Sequence, residues 1–239
     1  MSFRCIKDNW IKWLTNCIFV LMRRREVDTP LDKGKRKRLI TILQEKGINN
    51  QKVLDAINII PRHFFIDTVF DSKAYDDVAL QIEADQTISQ PYTVAFQTQL
   101  LDVKPKQKIL EVGTGSAYQA SVLEKLGAEV YTIERQKKLF ETNKNFNHLI
   151  NYPNIKFFYG DGFEGLPNMA PFDRILITAA APFIPHKLLQ QLQPNGIMVL
   201  PVDEGDAQRM IKVTKNVDGT YEEEKFEMFS FVPMLSGKQ

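Results

Sequence analysis

From Lys33 onward the apolar positions fall at helical spacing: Leu39, Ile40 and Leu43, then Val53, Leu54 and Ile57, with Gly47, Asn49 and Asn50 between them. Two short helices are expected. Pro61 opens the stretch Pro61-Arg62-His63-Phe64-Phe65, too irregular for either period, and Tyr75-Asp76-Asp77 leads into a polar segment ending in Thr87-Ile88-Ser89-Gln90-Pro91. Proline favours the first turn of a helix and a hydroxyl just before it can cap, so residues 91–101 read as the next helix.

After Pro105 short strands and helices alternate. Residues 108–112, 129–133, 155–159 and 173–178 have strand character, and 118–126, 136–147 and 185–192 have helical character. Repeated βα units imply a parallel sheet covered on both faces. The end of the chain breaks that rule, because 196–202, 209–214 and 226–232 are strand-like with no helix between them. The expected fold is therefore α/β: a doubly wound, mostly parallel, seven-stranded Rossmann-like sheet with an antiparallel C-terminal strand and an N-terminal helical cap. Residues 1–32 read as an extension, flexible or weakly amphipathic, and 33–239 as one domain whose cap spans 33–104.

Composition agrees: 44% hydrophobic and 25% charged residues in a chain of 239 exclude a disordered chain, a collagen and a disulfide scaffold. The net charge of +2 is unevenly spread. Residues 1–38 hold 11 basic and 4 acidic side chains, which leaves everything after Arg38 at −5. A nucleic-acid groove needs the opposite bias in the folded part, so no nucleic-acid partner is expected. Cys5 and Cys17 are the only cysteines, which fits a reducing compartment, and His63, His148 and His186 stand singly, so no metal site is indicated. Residues 10–22 are apolar but carry Lys12 and Asn16 and fall short of the roughly 20 residues that span a bilayer. Arg23, Arg24 and Arg25 follow that run directly, where a secretory signal has its basic residues in front. Two readings stay open for it, an interfacial anchor with a basic flank or upstream sequence with Met22 as the start; no stable membrane association is expected.

The first strand of the alternating region ends in Glu111-Val112-Gly113-Thr114-Gly115-Ser116-Ala117-Tyr118, a glycine-rich turn that lets a ligand approach the backbone at a helix N-terminus. A dinucleotide site wants a third glycine where Tyr118 stands. The second strand ends in Glu134, 21 residues after Gly113, where a carboxylate can accept from a ribose diol, and the third runs into Gly160-Asp161-Gly162, with Asp161 in reach of an adenine amino group. Three acids at three carboxyl strand ends point to a nucleoside. Without the third glycine or a Walker lysine, S-adenosyl-L-methionine is the cofactor suggested. The fourth strand ends Thr178-Ala179-Ala180-Ala181-Pro182, without an Asn or Asp before a Pro-Pro-aromatic motif, which disfavours a purine-amine methyltransferase, and no general base is evident. A carboxylate nucleophile, ionised at neutral pH, requires none.

These residues resemble the protein-L-isoaspartate O-methyltransferase family over about residues 33–235. The resemblance rests on Pro61-Arg62-His63-Phe64-Phe65, Thr87-Ile88-Ser89-Gln90-Pro91, the 111–115 loop, Gly160-Asp161-Gly162, and Pro171-Phe172-Asp173 leading to Ala179-Ala180-Ala181-Pro182. It implies methylation of the free α-carboxyl of L-isoaspartyl residues in damaged proteins and peptides. It also implies Ser89 as the active-site residue, with Thr87 and Ile88 lining the cleft, Gly113 and Gly115 forming the cofactor loop, Glu134 on the ribose, and Asp161 and Gly162 beside the adenine. Two departures stand out: Ala117 replaces a usual glycine, and Asn195 replaces the first glycine of a Pro-Gly-Gly turn, which asparagine tolerates because it accepts left-handed dihedrals. A cytoplasmic monomer is expected. The alternatives are a non-catalytic nucleotide-binding module that docks on anionic lipid through its basic N-terminus, and a small-molecule methyltransferase.

Overall fold

The computed structural model describes residues 24–239; the apolar run 10–22, Cys5, Cys17 and the choice of Met22 as start lie outside them. The first helix, α1 (Pro30–Glu45), begins before Lys33 because Thr29 and Asp32 form a capping box: the Thr29 hydroxyl accepts the Asp32 amide at 3.2 Å, and the Asp32 carboxylate accepts the Thr29 amide at 3.0 Å. The residues just ahead of it are stitched to the domain. Arg25 pairs with Asp32 and Asp71, and Arg36 pairs with Asp28 and donates to the Tyr75 hydroxyl. His63 completes the clasp, its ring nitrogens lying 2.6 Å from the Tyr75 hydroxyl and 3.2 Å from the Val27 carbonyl. Residues 25–32 are thus held against the domain that the spacing marks from Lys33. The signal is charge pairing across the fold, which apolar periodicity does not register. Asp28, Asp32 and His63 bring three possible metal-ligand atoms within 4.8 Å of one another, but Arg25 and Arg36 already occupy the carboxylates.

Helix α2 (Gln51–Ile59) is capped by the Asn50 side chain, and the irregular Pro61 stretch becomes a 3₁₀ turn, Arg62–Phe65, followed by another, Thr68–Lys73. A two-stranded antiparallel hairpin follows, β1 (Leu80–Gln81) against β2 (Thr87–Ile88). The sequence hid it, because its turn is made by Ala84 and Asp85 at φ 57° and 54° and not by the usual glycine. Helix α3 (Pro91–Leu101) starts at its proline as expected.

The main sheet holds β3 (Lys108–Val112), β4 (Glu129–Glu134), β5 (Ile155–Tyr159), β6 (Phe172–Ile177), β7 (Leu192–Asp203), β8 (Gln208–Lys215) and β9 (Tyr221–Phe229), in the order β5-β4-β3-β6-β7-β8-β9. Five strands are parallel, β8 runs against both its neighbours, and β9 returns in the parallel sense, so the reversed strand is the second to last. Successive strand residues face opposite layers. Ile109, Val130, Leu176 and Val199 pack with α1, α2, α3 and α4 (Tyr118–Lys125) in one core; Leu110, Tyr131, Ile175 and Met198 pack with Leu188 and Leu189 of α6 (His186–Gln190) in the other. The N-terminal helices thus share a core with the sheet.

Helix α5 (Lys137–Lys144) is shorter than 136–147; the chain turns at Asn145 and closes with a 3₁₀ turn, Asn147–Asn151. Helix α6 ends before Leu192, which instead pairs with Phe172 and opens β7. The last strand lies earlier than 226–232: its Glu222-Glu223-Glu224-Lys225 run is exposed on the sheet edge, where polar side chains meet water and acidic charge discourages a second chain from pairing. Among the described residues no helix is long and apolar enough to cross a membrane.

Candidate active site

Strand β3 lies between β4 and β6, so the loops after β3 and β6 leave in opposite directions and open a crevice at the carboxyl edge of the sheet. The β3 loop carries Gly113 at φ 99° and Gly115 at φ 53°. A Cβ on Gly113 would stand 2.5 Å from the Thr178 hydroxyl, which itself donates to the Val112 and Gly113 carbonyls at 3.0 and 2.7 Å. Glycine is required here by close approach. Ala117 adopts φ 66° at the N-cap of α4, a left-handed conformation that its methyl makes costly.

Glu134, 5% exposed, holds the other end of this loop: one carboxylate oxygen accepts the Gly115 amide at 2.9 Å and the other the Gln136 amide at 2.8 Å. Burial pushes its carboxyl above the ordinary value, and the Gln136 and Gly115 amides pull against that rise. Beneath the loop Glu111 is fully buried and raised to about 8 by desolvation; it accepts from the Thr132 hydroxyl, which lies 2.7 Å from the Thr114 hydroxyl. A core carboxyl is thereby coupled to the loop backbone through two hydroxyls.

These parts line an open cleft at the carboxyl edge of the sheet. The β3 loop, Glu134, Arg135 and Gly162 form one side, and the β2 arm brings Gln86, Thr87, Ile88 and Ser89 to the other. Seven expected residues, Thr87, Ile88, Ser89, Gly113, Gly115, Glu134 and Gly162, share this cleft. Asp161 stands apart from its lining, with one oxygen on the Phe163 amide at 2.9 Å and the other on the Gly237 amide at 2.6 Å. Its carboxylate anchors the C-terminal tail.

The sequence reading missed Gln119, Thr178 and the segment from Val232 to Leu235, all lining the cleft. Thr178 sits at the carboxyl end of β6, so the rule that found Glu134 applies to it equally. The tail has no such signal, because a bridge between Ala180 and Pro233 brings it in from beyond the last strand. Its end is fastened to Arg135, which donates to the Gly237 carbonyl, the Gln239 side chain and the Ser236 carbonyl.

Ser89 is half-buried, and Gln90, not Ser89, is the N-cap of α3, with no side-chain bond of its own. Among the described residues the cleft lining contains no histidine, lysine or cysteine, and its one carboxylate, Glu134, accepts from two backbone amides.

A profile of the family described as "Protein-L-isoaspartate(D-aspartate) O-methyltransferase (PCMT)" matches residues 34–239. The chain belongs to this family. A protein-L-isoaspartate O-methyltransferase of Flavobacterium johnsoniae is 51% identical over 211 residues, covering 88% of this chain and 99% of that protein, and one of Christiangramia forsetii is 47% identical with the same coverage. A Plasmodium falciparum structure assigned to the same enzyme class, in complex with S-adenosyl-L-homocysteine, superposes with a TM-score of 0.73 at 24% identity, covering 84% of this chain and 98% of that one. That likeness bears out the fold expected for the family, a seven-stranded sheet with flanking helices.

Proposed function

We propose that this cleft methylates the free α-carboxyl of L-isoaspartyl residues in damaged proteins and peptides, with S-adenosyl-L-methionine as donor and Ser89 at the acceptor. What carries the reading is the meeting of the Thr87-Ile88-Ser89 arm with the Gly113–Gly115 loop and Glu134 on a single cleft. The residues fit an adenosyl cofactor. Each oxygen of Glu134 spends one lone pair on a backbone amide and keeps another for a ribose hydroxyl, and the glycines leave the loop backbone open to a close ligand.

When bound, the cofactor supplies an electrophilic sulfonium methyl. Glu134, Gly113 and Gly115 would hold it, with Gly162 beside the adenine. Asp161, expected beside the adenine, stands outside the lining and would bear on that site by fixing the C-terminal tail through the Gly237 amide. The Ser89 hydroxyl orients the carboxylate for in-line approach, which at neutral pH needs positioning and no base. The released ester is a better leaving group than the acid, so the neighbouring backbone amide closes a succinimide unaided and hydrolysis returns part of the product as aspartate.

The form proposed is a cytoplasmic monomer, and the two cysteines of the sequence are compatible with a reducing compartment. Residues 33–239 act as one catalytic unit with their helical cap, to which Arg25 and Asp28 are tied by ion pairs. Mass spectrometry of an isoaspartyl peptide incubated with the enzyme and S-adenosylmethionine tests the proposal. The expected product is a methyl ester decaying to the succinimide; a peptide of unchanged mass while the cofactor binds contradicts it.

A further inference from the structure

Arg62 is a charged side chain with no exposed surface, yet each of its hydrogen bonds goes to a main-chain carbonyl: Ala74 at 2.8 Å, Val78 at 3.1 Å and Ser89 at 3.2 Å. Its Nε is buried without a partner. Burying a guanidinium in a cage of carbonyls is expensive, because water is removed and no counter-charge replaces it. Asp77 and Asp76, the acids whose charges reach it, form no ion pair with it. Asp77 accepts the Tyr92 amide and the Lys46 ammonium. Burial accordingly pulls the Arg62 guanidinium down to about 10.

A uniformly apolar core could join these segments more cheaply, so the retained charge calls for a second role. The cleft offers one. The proposed acceptor is an anion, whereas among the described residues the lining holds Glu134 and a single cation, Arg135, whose guanidinium is spent on the tail carbonyls and on Gln239. The carbonyl of Ser89, a residue of the cleft lining, accepts from Arg62 at 3.2 Å.

We infer that Arg62 is a positioning residue for the acceptor carboxylate: from behind the Ser89 peptide it fixes the Thr87-Ile88-Ser89 arm and supplies an unscreened positive charge at the anionic end of the cleft. The inference rests on the assignment of Ser89 to the acceptor. A preorganised charge in a dry site acts on the substrate more strongly than an exposed one and needs no reorganisation when the substrate arrives. It also distinguishes the acceptor from a neutral isostere, since a carboxamide of the same shape feels little of the field. The 3₁₀ turn Arg62–Phe65 builds this in sequence, with His63 beside it holding Tyr75 and Val27 and so locking the turn to the N-terminal clasp.

The test compares inhibition by two unreactive isoaspartyl peptides, one with a free α-carboxylate in a conformation that is bound but not methylated in the presence of S-adenosylhomocysteine, the other with an α-carboxamide. In the unaltered enzyme the carboxylate should bind at least tenfold tighter, and the ratio should change less than twofold between 0.05 and 0.5 M salt, because a buried charge is poorly screened. Arg62→Gln should reduce the ratio at least fivefold with the S-adenosylhomocysteine dissociation constant within twofold, and Arg62→Lys should retain most of it. A ratio near one, a ratio that collapses with salt, or a ratio unaltered in folded Arg62→Gln overturns the inference. Should Arg62→Gln not fold, the salt series on the unaltered enzyme and the Arg62→Lys ratio still decide. Ser89→Ala run alongside separates the two claims: full turnover in that variant defeats the Ser89 assignment, whereas lost turnover with an unchanged Arg62→Gln ratio defeats only this one.

Discussion

Asp77 caps the helix that follows Ser89: its carboxylate accepts the Tyr92 amide at 2.7 Å, in the first turn of α3. A serine two residues ahead of Pro91 would ordinarily be read as that cap. With the post taken from another segment, the Ser89 hydroxyl is available to the cleft. Ser89→Ala should therefore lower turnover roughly ten- to a hundredfold through misalignment, with melting temperature and S-adenosylhomocysteine affinity nearly unchanged. Asp77→Ala should instead lose about 1 kcal/mol of stability, as caps do. Melting curves and initial rates measured on the same samples separate the two roles.

Glu134→Ala should weaken S-adenosylhomocysteine by about 1.5–3 kcal/mol, or roughly ten- to a hundredfold, the worth of hydrogen bonds to a charged acceptor. The fold should survive. Calorimetric titration decides, and an unchanged dissociation constant would remove Glu134 from the cofactor site.

Glu111 sets a pH dependence. Its carboxyl is raised to about 8 in the folded protein, above the ordinary value it regains on unfolding, so the folded state binds the proton more tightly. Stability from this group is therefore present at low pH and is lost as pH rises from about 5 to about 8. Glutamine does not titrate. The melting temperature of Glu111→Gln relative to the unaltered protein should climb across that window, and a difference that stays flat would contradict the assignment of a neutral buried acid.

Ala117 occupies the left-handed region at the start of α4. Ala117→Gly relieves a strain of about 1–2 kcal/mol per such residue, offset by the extra freedom of glycine in the unfolded chain, about 0.4–1 kcal/mol. A net gain of about 0.5–1 kcal/mol is expected from denaturant titration.

A chain starting at Met22 keeps the Arg25, Asp28 and Thr29 contacts and should melt and methylate like the full sequence. Starting at Lys33 removes them and leaves Arg36 buried without Asp28, a loss on the order of 3 kcal/mol that thermal melting would register.

Strand period and glycine placement made the parallel sheet, the cofactor loop and Glu134 readable, because each follows from local residue type and from the rule that ligands sit at carboxyl strand ends. What escaped depends on distant partners. The clasp of Arg25, Asp28 and His63 is charge pairing across the N-terminal region, and the β1–β2 turn uses alanine and aspartate where glycine is the signal. The Val232–Leu235 strap reaches the cleft only because the last strand ends early. Ser89 and the role proposed for it came from resemblance; its freedom from capping duty became visible only once Asp77 was placed.

The proposed cleft selects for one carbon skeleton. L-isoaspartyl and L-aspartyl peptides of identical composition each carry one carboxylate of similar acidity, so the cleft must discriminate by where that carboxylate sits, and a displacement of about 1 Å can cost on the order of a hundredfold in rate. Tritium transfer from labelled S-adenosylmethionine to the matched pair measures this directly. The account expects label in the isoaspartyl peptide and background in the aspartyl one; equal labelling of both, or labelling of a small acid while neither peptide is touched, would contradict it.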